Sequence, residues 1–154
     1  MIEDLKVALV QTDLHWENIG ANLAMLEEKI WTIATGQDLI VLPEMFTTGF
    51  SMNPKKLAEV AGSTTLRWMK QQAAQTKATV LGSYIVREGE HYFNRLYMVH
   101  PDGKSTYYDK KHRFGLAGED KDYTAGHSRL VVEVKGWRIM PLVCYDLRFP
   151  VWSR

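Results

Sequence analysis

Asp38-Leu-Ile-Val-Leu-Pro43 is the stretch on which the fold turns. Its apolar residues run without interruption between an aspartate and a proline. The run is too short for a core helix and does not alternate as a half-open strand would, so it reads as a strand covered on both faces. The sequence on either side supplies elements to cover it. Upstream, Leu5 to Gln11 is rich in Val and Leu and reads as a first strand. Asn18 is placed to cap a helix in which Ile19, Leu23, Leu26, Ile30 and Ile33 recur at steps of three and four, with Gly36 closing it. Downstream, Ser63 starts a second helix carrying Leu66, Trp68, Met69 and Ala73, and Thr79 to Val86 returns as a strand. This alternation predicts an α/β, or layered α+β, domain.

Farther along, Glu88-Gly89-Glu90 and Pro101-Asp102-Gly103 are turn sequences that separate the β-rich runs Tyr92 to His100 and Ser105 to Asp109, which predicts consecutive hairpins. A polar loop is expected from Gly115 to His127, and then a strand pair, Arg129 to Val134 and Trp137 to Val143, about Lys135-Gly136. Pro150 suits the first turn of a helix that Val151 to Arg154 begins. Residues 1–154 are read as the N-terminal part of one domain, cut after that turn.

With 154 residues and 45% hydrophobic content the chain can bury a core. Nineteen basic residues against 18 acidic ones leave a net charge of +1, too small a field to argue for nucleic acid or an anionic membrane, so a small-molecule partner is expected. The single cysteine excludes an internal disulfide framework and a Cys-rich metal site and fits a reducing, cytoplasmic setting. The N-terminus has neither the basic start nor the long apolar core of a signal peptide, and no stretch has the length of a membrane span.

Two reactive side chains stand just past apolar strands: Glu44 after Leu39 to Pro43, and Cys144 after Ile139 to Val143. In sheets with parallel strands, sites are built at the carboxyl ends. Taken singly, an isolated cysteine is a small buried hydrophobe, and a glutamate after proline is a solvated charge. A third feature, Tyr107-Tyr-Asp-Lys-Lys-His-Arg-Phe114, is by itself a charged loop. Together they supply a nucleophile, a base and a cation. A thiol must become a thiolate to attack, a nearby ammonium lowers its pKa, and a carboxylate can take its proton.

LPEMFTTGF, YDKKHRF and CYDLRFP resemble, in order, the three motif regions of the nitrilase, or carbon-nitrogen hydrolase, superfamily. The resemblance implies an αββα sandwich, truncated here after the nucleophile turn, with catalytic Glu44, Lys110 and Cys144. It selects Lys110 over Lys111 by its spacing from His112. It also implies a second acid, which falls on Glu119 ahead of Gly126, with Asp120 as the adjacent alternative. The backbone N–H of Tyr145 and the Lys110 ammonium are the oxyanion donors it suggests. Met45, Phe46 and Phe50 are candidate pocket walls, and Arg148 is read as a buried partner of Asp146 or Glu44, or else as an anchor for a substrate carboxylate. His112 and Asn94 are read as structural. The MFTTGFS and CYDLRFP forms are similar to ω-amidases acting on 2-oxoglutaramate and related monoamides. The activity that the resemblance implies is hydrolysis of a small amide through a Cys thioester, with no metal or organic cofactor, by a protein that is a homo-oligomer when full length. Nitrilases and carbamoylases share the catalytic residues, and a non-catalytic remnant is the alternative from another class.

Overall fold

The computed structural model describes residues 3–33 and 35–154. The chain runs β1 (Val7–Leu9), α1 (Ile19–Thr32), β2 (Leu39–Val41), α2 (Pro54–Leu57), β3 (Glu59–Val60), α3 (Thr64–Thr76), β4 (Thr79–Glu88), β5 (His91–Val99) and β6 (Ser105–Asp109). Next come a 3-10 turn (Gly115–Ala117), α4 (Glu119–Asp122), β7 (Val132–Val134), β8 (Trp137–Ile139), a second 3-10 turn (Cys144–Arg148) and α5 (Pro150–Ser153).

The main sheet has strand order β1-β2-β4-β5-β6, with β3 paired to the far end of β4. β1, β2 and β4 are parallel, joined by helical crossovers, whereas β4-β5-β6 is an antiparallel meander built on the two turn sequences. The two-faced burial expected of the central strand is present. Ile40 and Val80 belong to the cluster under α1 and α3 with Leu26, Ile30, Met69 and Ala73, while their neighbours Leu39 and Leu81 belong to the opposite cluster with Leu96, Met98 and Tyr108. Side chains alternate across a strand, so a run buried on both faces needs apolar residues at every position. The small β7-β8 sheet covers that second face through Val132 and Val134. Helices, sheet and a second sheet are thus layered, and no helix among the described residues is long and apolar enough to cross a membrane.

Several boundaries differ from the sequence expectation. Asn18 caps α1 as expected, its Oδ1 accepting from Ala21 N at 3.1 Å, but the helix ends at Thr32 with an extended Ile33, and Gly36, at φ +87°, turns the chain toward β2 instead. Ser63 precedes α3 without capping it. Glu59 takes that task from β3, accepting the Thr65 N–H at 2.9 Å and the Ser63 hydroxyl at 2.7 Å. The segment from Gly115 to His127 is not a plain loop, since it holds a 3-10 turn and α4. The last strand pair is shorter than read, β8 stopping at Ile139, because Pro141 has no N–H to give a ladder. α2 and β3 carry too few residues for periodicity to reveal them.

Candidate active site

The Glu44 loop leaves β2 and lies directly on β4. Leu42 N donates to Leu81 O at 2.8 Å, Phe46 N to Ser83 O at 3.0 Å, and Met45 N to Ser83 Oγ at 3.0 Å. The close approach depends on Gly82, where a Cβ would stand 2.8 Å from both Leu42 Cβ and Phe46 Cδ1. Met45 reverses the chain at φ +45°. Its side chain and that of Phe46 are fully buried, Met45 among Leu57, Ile85 and Tyr123, and Phe46 against the rings of Trp68 and Tyr84. Both are core residues that hold the loop from beneath. The aromatic ring at the site is that of half-buried Phe50, 5.2 Å from Lys110 Nζ.

Lys110 follows β6, held at both ends of its peptide unit: its N–H donates to Asn94 O at 3.0 Å and its carbonyl accepts from Gly126 N at 2.9 Å. Gly126 has no room for a side chain, because a Cβ would overlap the Asp109 carbonyl oxygen. The Lys110 ammonium, 1% exposed, donates to Glu44 Oε1 and Glu119 Oε2, each at 2.8 Å. Burial works against its charge, but the Glu44 charge and the hydrogen bonds to Glu119 and Glu44 together raise its pKa above the ordinary lysine value. Lys111 points elsewhere, its Nζ 5.6 Å over the Trp152 ring. Of the two adjacent acids, Glu119 is fully buried at the start of α4 and also accepts the Phe114 N–H at 2.6 Å, whereas Asp120 is exposed.

Cys144 opens the second 3-10 turn with φ +43°, a left-handed conformation that a side chain disfavours. It is exposed, and its thiol is faced by the charges of Glu44, Lys110 and Glu119. The turn is anchored by buried Asp146. Oδ2 accepts Tyr108 OH at 2.7 Å and Val143 N at 3.1 Å, and Oδ1 accepts His112 N at 2.8 Å and pairs with His112 Nδ1 at 2.8 Å. The His112 ring stacks on Phe149, centroids 3.7 Å apart. His112 therefore ties the lysine loop to the cysteine turn. The Tyr145 ring packs edge-on between Phe114 and Phe149, and its N–H belongs to the first turn of the 3-10 segment, where donors lack an intrahelical acceptor.

Met45 and Phe46, expected as pocket walls, are thus corrected to core residues, and two further expectations are corrected. The ammonium does not give a low-pKa thiol: desolvation first, then the charge of Glu44, raise the Cys144 pKa above its ordinary value and outweigh the lowering by Lys110. Arg148 is not a buried partner of Asp146 or Glu44. It is exposed, and Asp146 is held by Tyr108, Val143 and His112 instead. Asn94 is more than structural in placement, since its Nδ2 donates to Glu44 at 2.8 Å and Glu119 at 3.2 Å. The available signal was an asparagine in the middle of a strand, where that residue type is depleted. The structure therefore gathers Glu44, Lys110, Glu119, Cys144 and Asn94 at one place, with Tyr145 and Arg148 on the adjoining turn.

The chain is 45% identical over 150 residues to the omega-amidase YafV of Escherichia coli K12, and 30% identical over 151 residues to the 2-oxoglutaramate amidase of Bacillus subtilis. These matches cover 97% and 96% of the chain and 58% of each relative, so the chain spans well under two thirds of their length. Its structure superimposes with a TM-score of 0.96, at 43% identity, on a CN-hydrolase superfamily protein from Xanthomonas campestris that carries an arsenic adduct in its active site, covering 99% of this chain and 57% of that one. Residues 6–154 match the carbon-nitrogen hydrolase family, and the chain belongs to it.

Proposed function

We propose that the protein hydrolyses a small carboxylate-bearing ω-amide, such as 2-oxoglutaramate, to the acid and ammonia through a thioester on Cys144. The observation that carries this reading is the convergence on exposed Cys144 of the charges of Glu44, Lys110 and Glu119, at a site where Lys110 bridges Glu44 and Glu119. The ω-amide is supported by the likeness to the amidases of E. coli and B. subtilis.

At rest the nucleophile is a thiol, so attack and proton transfer go together. Sγ bonds to the amide carbon while its proton passes to Glu44, general-base help worth about 10²–10⁴-fold. The carbonyl oxygen becomes an oxyanion, received by the Lys110 ammonium and the Tyr145 N–H, each such donor contributing roughly 3 kcal/mol. Collapse expels the amide nitrogen, which takes the proton from Glu44 and leaves as ammonia. Water then attacks the thioester, giving a proton to Glu44. When the second tetrahedral species collapses, the acid departs and the sulfur recovers that proton. Glu119, fixed by Lys110 and the Phe114 N–H, keeps the ammonium aimed between the carboxylates. Exposed Arg148, with no carboxylate among the described residues claiming it, is the candidate anchor for the substrate's distal carboxylate.

Incubation of the protein with 2-oxoglutaramate, succinamate, a simple nitrile and an N-carbamoyl amino acid tests the reading. Ammonia is expected fastest from the first two, and Cys144→Ala is expected to abolish it. Preference for the nitrile or the carbamoyl substrate would discard the ω-amide, and turnover by a folded Cys144→Ala variant would discard the thioester.

A further inference from the structure

Asn94, 2% exposed near the middle of β5, places a single amide nitrogen between two carboxylates. One hydrogen bond runs to Glu44 Oε1 at 2.8 Å and one to Glu119 Oε1 at 3.2 Å. Lys110 Nζ reaches the same Glu44 Oε1 at 2.8 Å, yet on Glu119 it reaches the other oxygen, Oε2, at 2.8 Å. The two acids are therefore held differently. Glu119 is gripped at both oxygens, with Phe114 N adding a third bond at Oε2. Glu44 receives both of its fixed donors on one oxygen, and Oε2 carries none from Lys110 or Asn94.

We propose that Asn94 is a positioning residue which, with Lys110, clamps Glu44 by Oε1 and thereby makes Oε2 the oxygen that takes the Cys144 proton. An ammonium alone would not do this. The terminal torsion of a glutamate is broad, and a carboxylate can turn either oxygen toward a point charge. A second donor arriving at the same oxygen from another strand removes that freedom. The amide has only one usable orientation, because turned over it would set its carbonyl oxygen against two carboxylates. In the orientation present, Asn94 Oδ1 is buried without a partner, an unmade bond tolerated because the alternative is worse. The fold does not need this side chain for strand pairing: the Asn94 carbonyl accepts the Lys110 N–H at 3.0 Å whatever stands at the β-carbon. Asparagine suits the task better than a second lysine, since it donates twice without adding a charge to a cluster in which Lys110 already balances one of two acids.

The role rests on the proposed thioester chemistry, so two readouts separate the claims. Cys144 is the only cysteine in the chain, and iodoacetamide therefore reports on one thiol, faced by the charges of Glu44, Lys110 and Glu119. In Asn94→Leu the freed Glu44 leaves the thiol, and the midpoint of the alkylation-against-pH curve should fall by roughly half a unit or more. In Asn94→Asp, which keeps the shape but adds an acceptor and negative charge, the midpoint should rise. With ω-amide substrate, kcat of Asn94→Leu should drop about 10- to 100-fold while KM stays within about threefold, the mark of a group acting through the base rather than on substrate. Wild-type midpoints in both variants overturn the positioning role. Shifted midpoints with no ammonia release from the unmutated protein leave that role standing and overturn the amidase reading instead. Should Asn94→Leu fail to fold, the isosteric Asn94→Asp decides alone.

Discussion

The Lys110 ammonium and the Glu119 carboxylate, 1% and 0% exposed, meet at 2.8 Å with no water-facing surface between them. Removing one partner of such a pair leaves a buried charge uncompensated, at a cost of about 3–5 kcal/mol. Lys110→Ala should therefore lower both activity and the denaturant midpoint, whereas Lys111→Ala, which loses only a partly exposed contact with Trp152, should cost under about 1 kcal/mol. Urea unfolding of the two variants side by side checks this, and equal losses would mean the lysines share the site.

The thiol supplies a second prediction. Since the Glu44 carboxylate helps raise the Cys144 pKa while Lys110 lowers it, Glu44→Gln removes a raising cause and leaves the lowering one. The alkylation midpoint should move down in pH, even as turnover is lost with the base. A midpoint moving up would show that Glu44 does not face the sulfur as an anion.

Gly126 offers a test remote from any reacting atom. Its missing side chain lets the chain pass against the Asp109 carbonyl and hold Lys110 by its backbone. Gly126→Ala forces that contact apart. Overpacking of this kind costs about 1–3 kcal/mol, and a displacement of about 1 Å at Lys110 is enough for roughly 10²-fold in rate. Thermal melting and kcat together would show both losses; a variant with normal kcat would mean the Lys110 loop is held by its side-chain pairs alone.

Arg148 should behave in the opposite way. Exposed and free of the Asp146 network, it can be replaced by Ala with a stability change within about 0.5 kcal/mol. If it anchors a distal carboxylate, KM for 2-oxoglutaramate should rise several-fold while an amide lacking that carboxylate is handled unchanged. Equal effects on both substrates would remove Arg148 from substrate recognition.

The parallel core was legible because its signals are local and repetitive. Burial of Leu39 on one face and Ile40 on the other follows from an uninterrupted apolar run, and the β4-β5-β6 meander from two turn sequences. Glu44, Lys110, Glu119 and Cys144 were legible as a set through spacing and family likeness. Residues whose meaning lies in three-dimensional neighbours were not. Asp146 is read in sequence as part of a motif and as a partner for Arg148, yet it is the hub joining Tyr108, His112 and Val143 across separate segments. Glu59 caps α3 from strand β3, and Arg148 is exposed although the sequence reading offered it a buried partner. The sign of the thiol's shift could not be had from composition either, since it depends on desolvation and Glu44 outweighing Lys110.

Cys144 occupies a backbone conformation, φ +43°, that glycine adopts freely and other residues at a cost of about 1–2 kcal/mol. The nucleophile thus sits where folding alone would choose no side chain. Cys144→Gly is accordingly expected to be inert but harder to unfold than the parent, and Cys144→Ala to gain none of that relief. Random variation screened only for stability would drift toward discarding the sulfur. The sulfur thus stands at this position against the preference of the polymer that carries it.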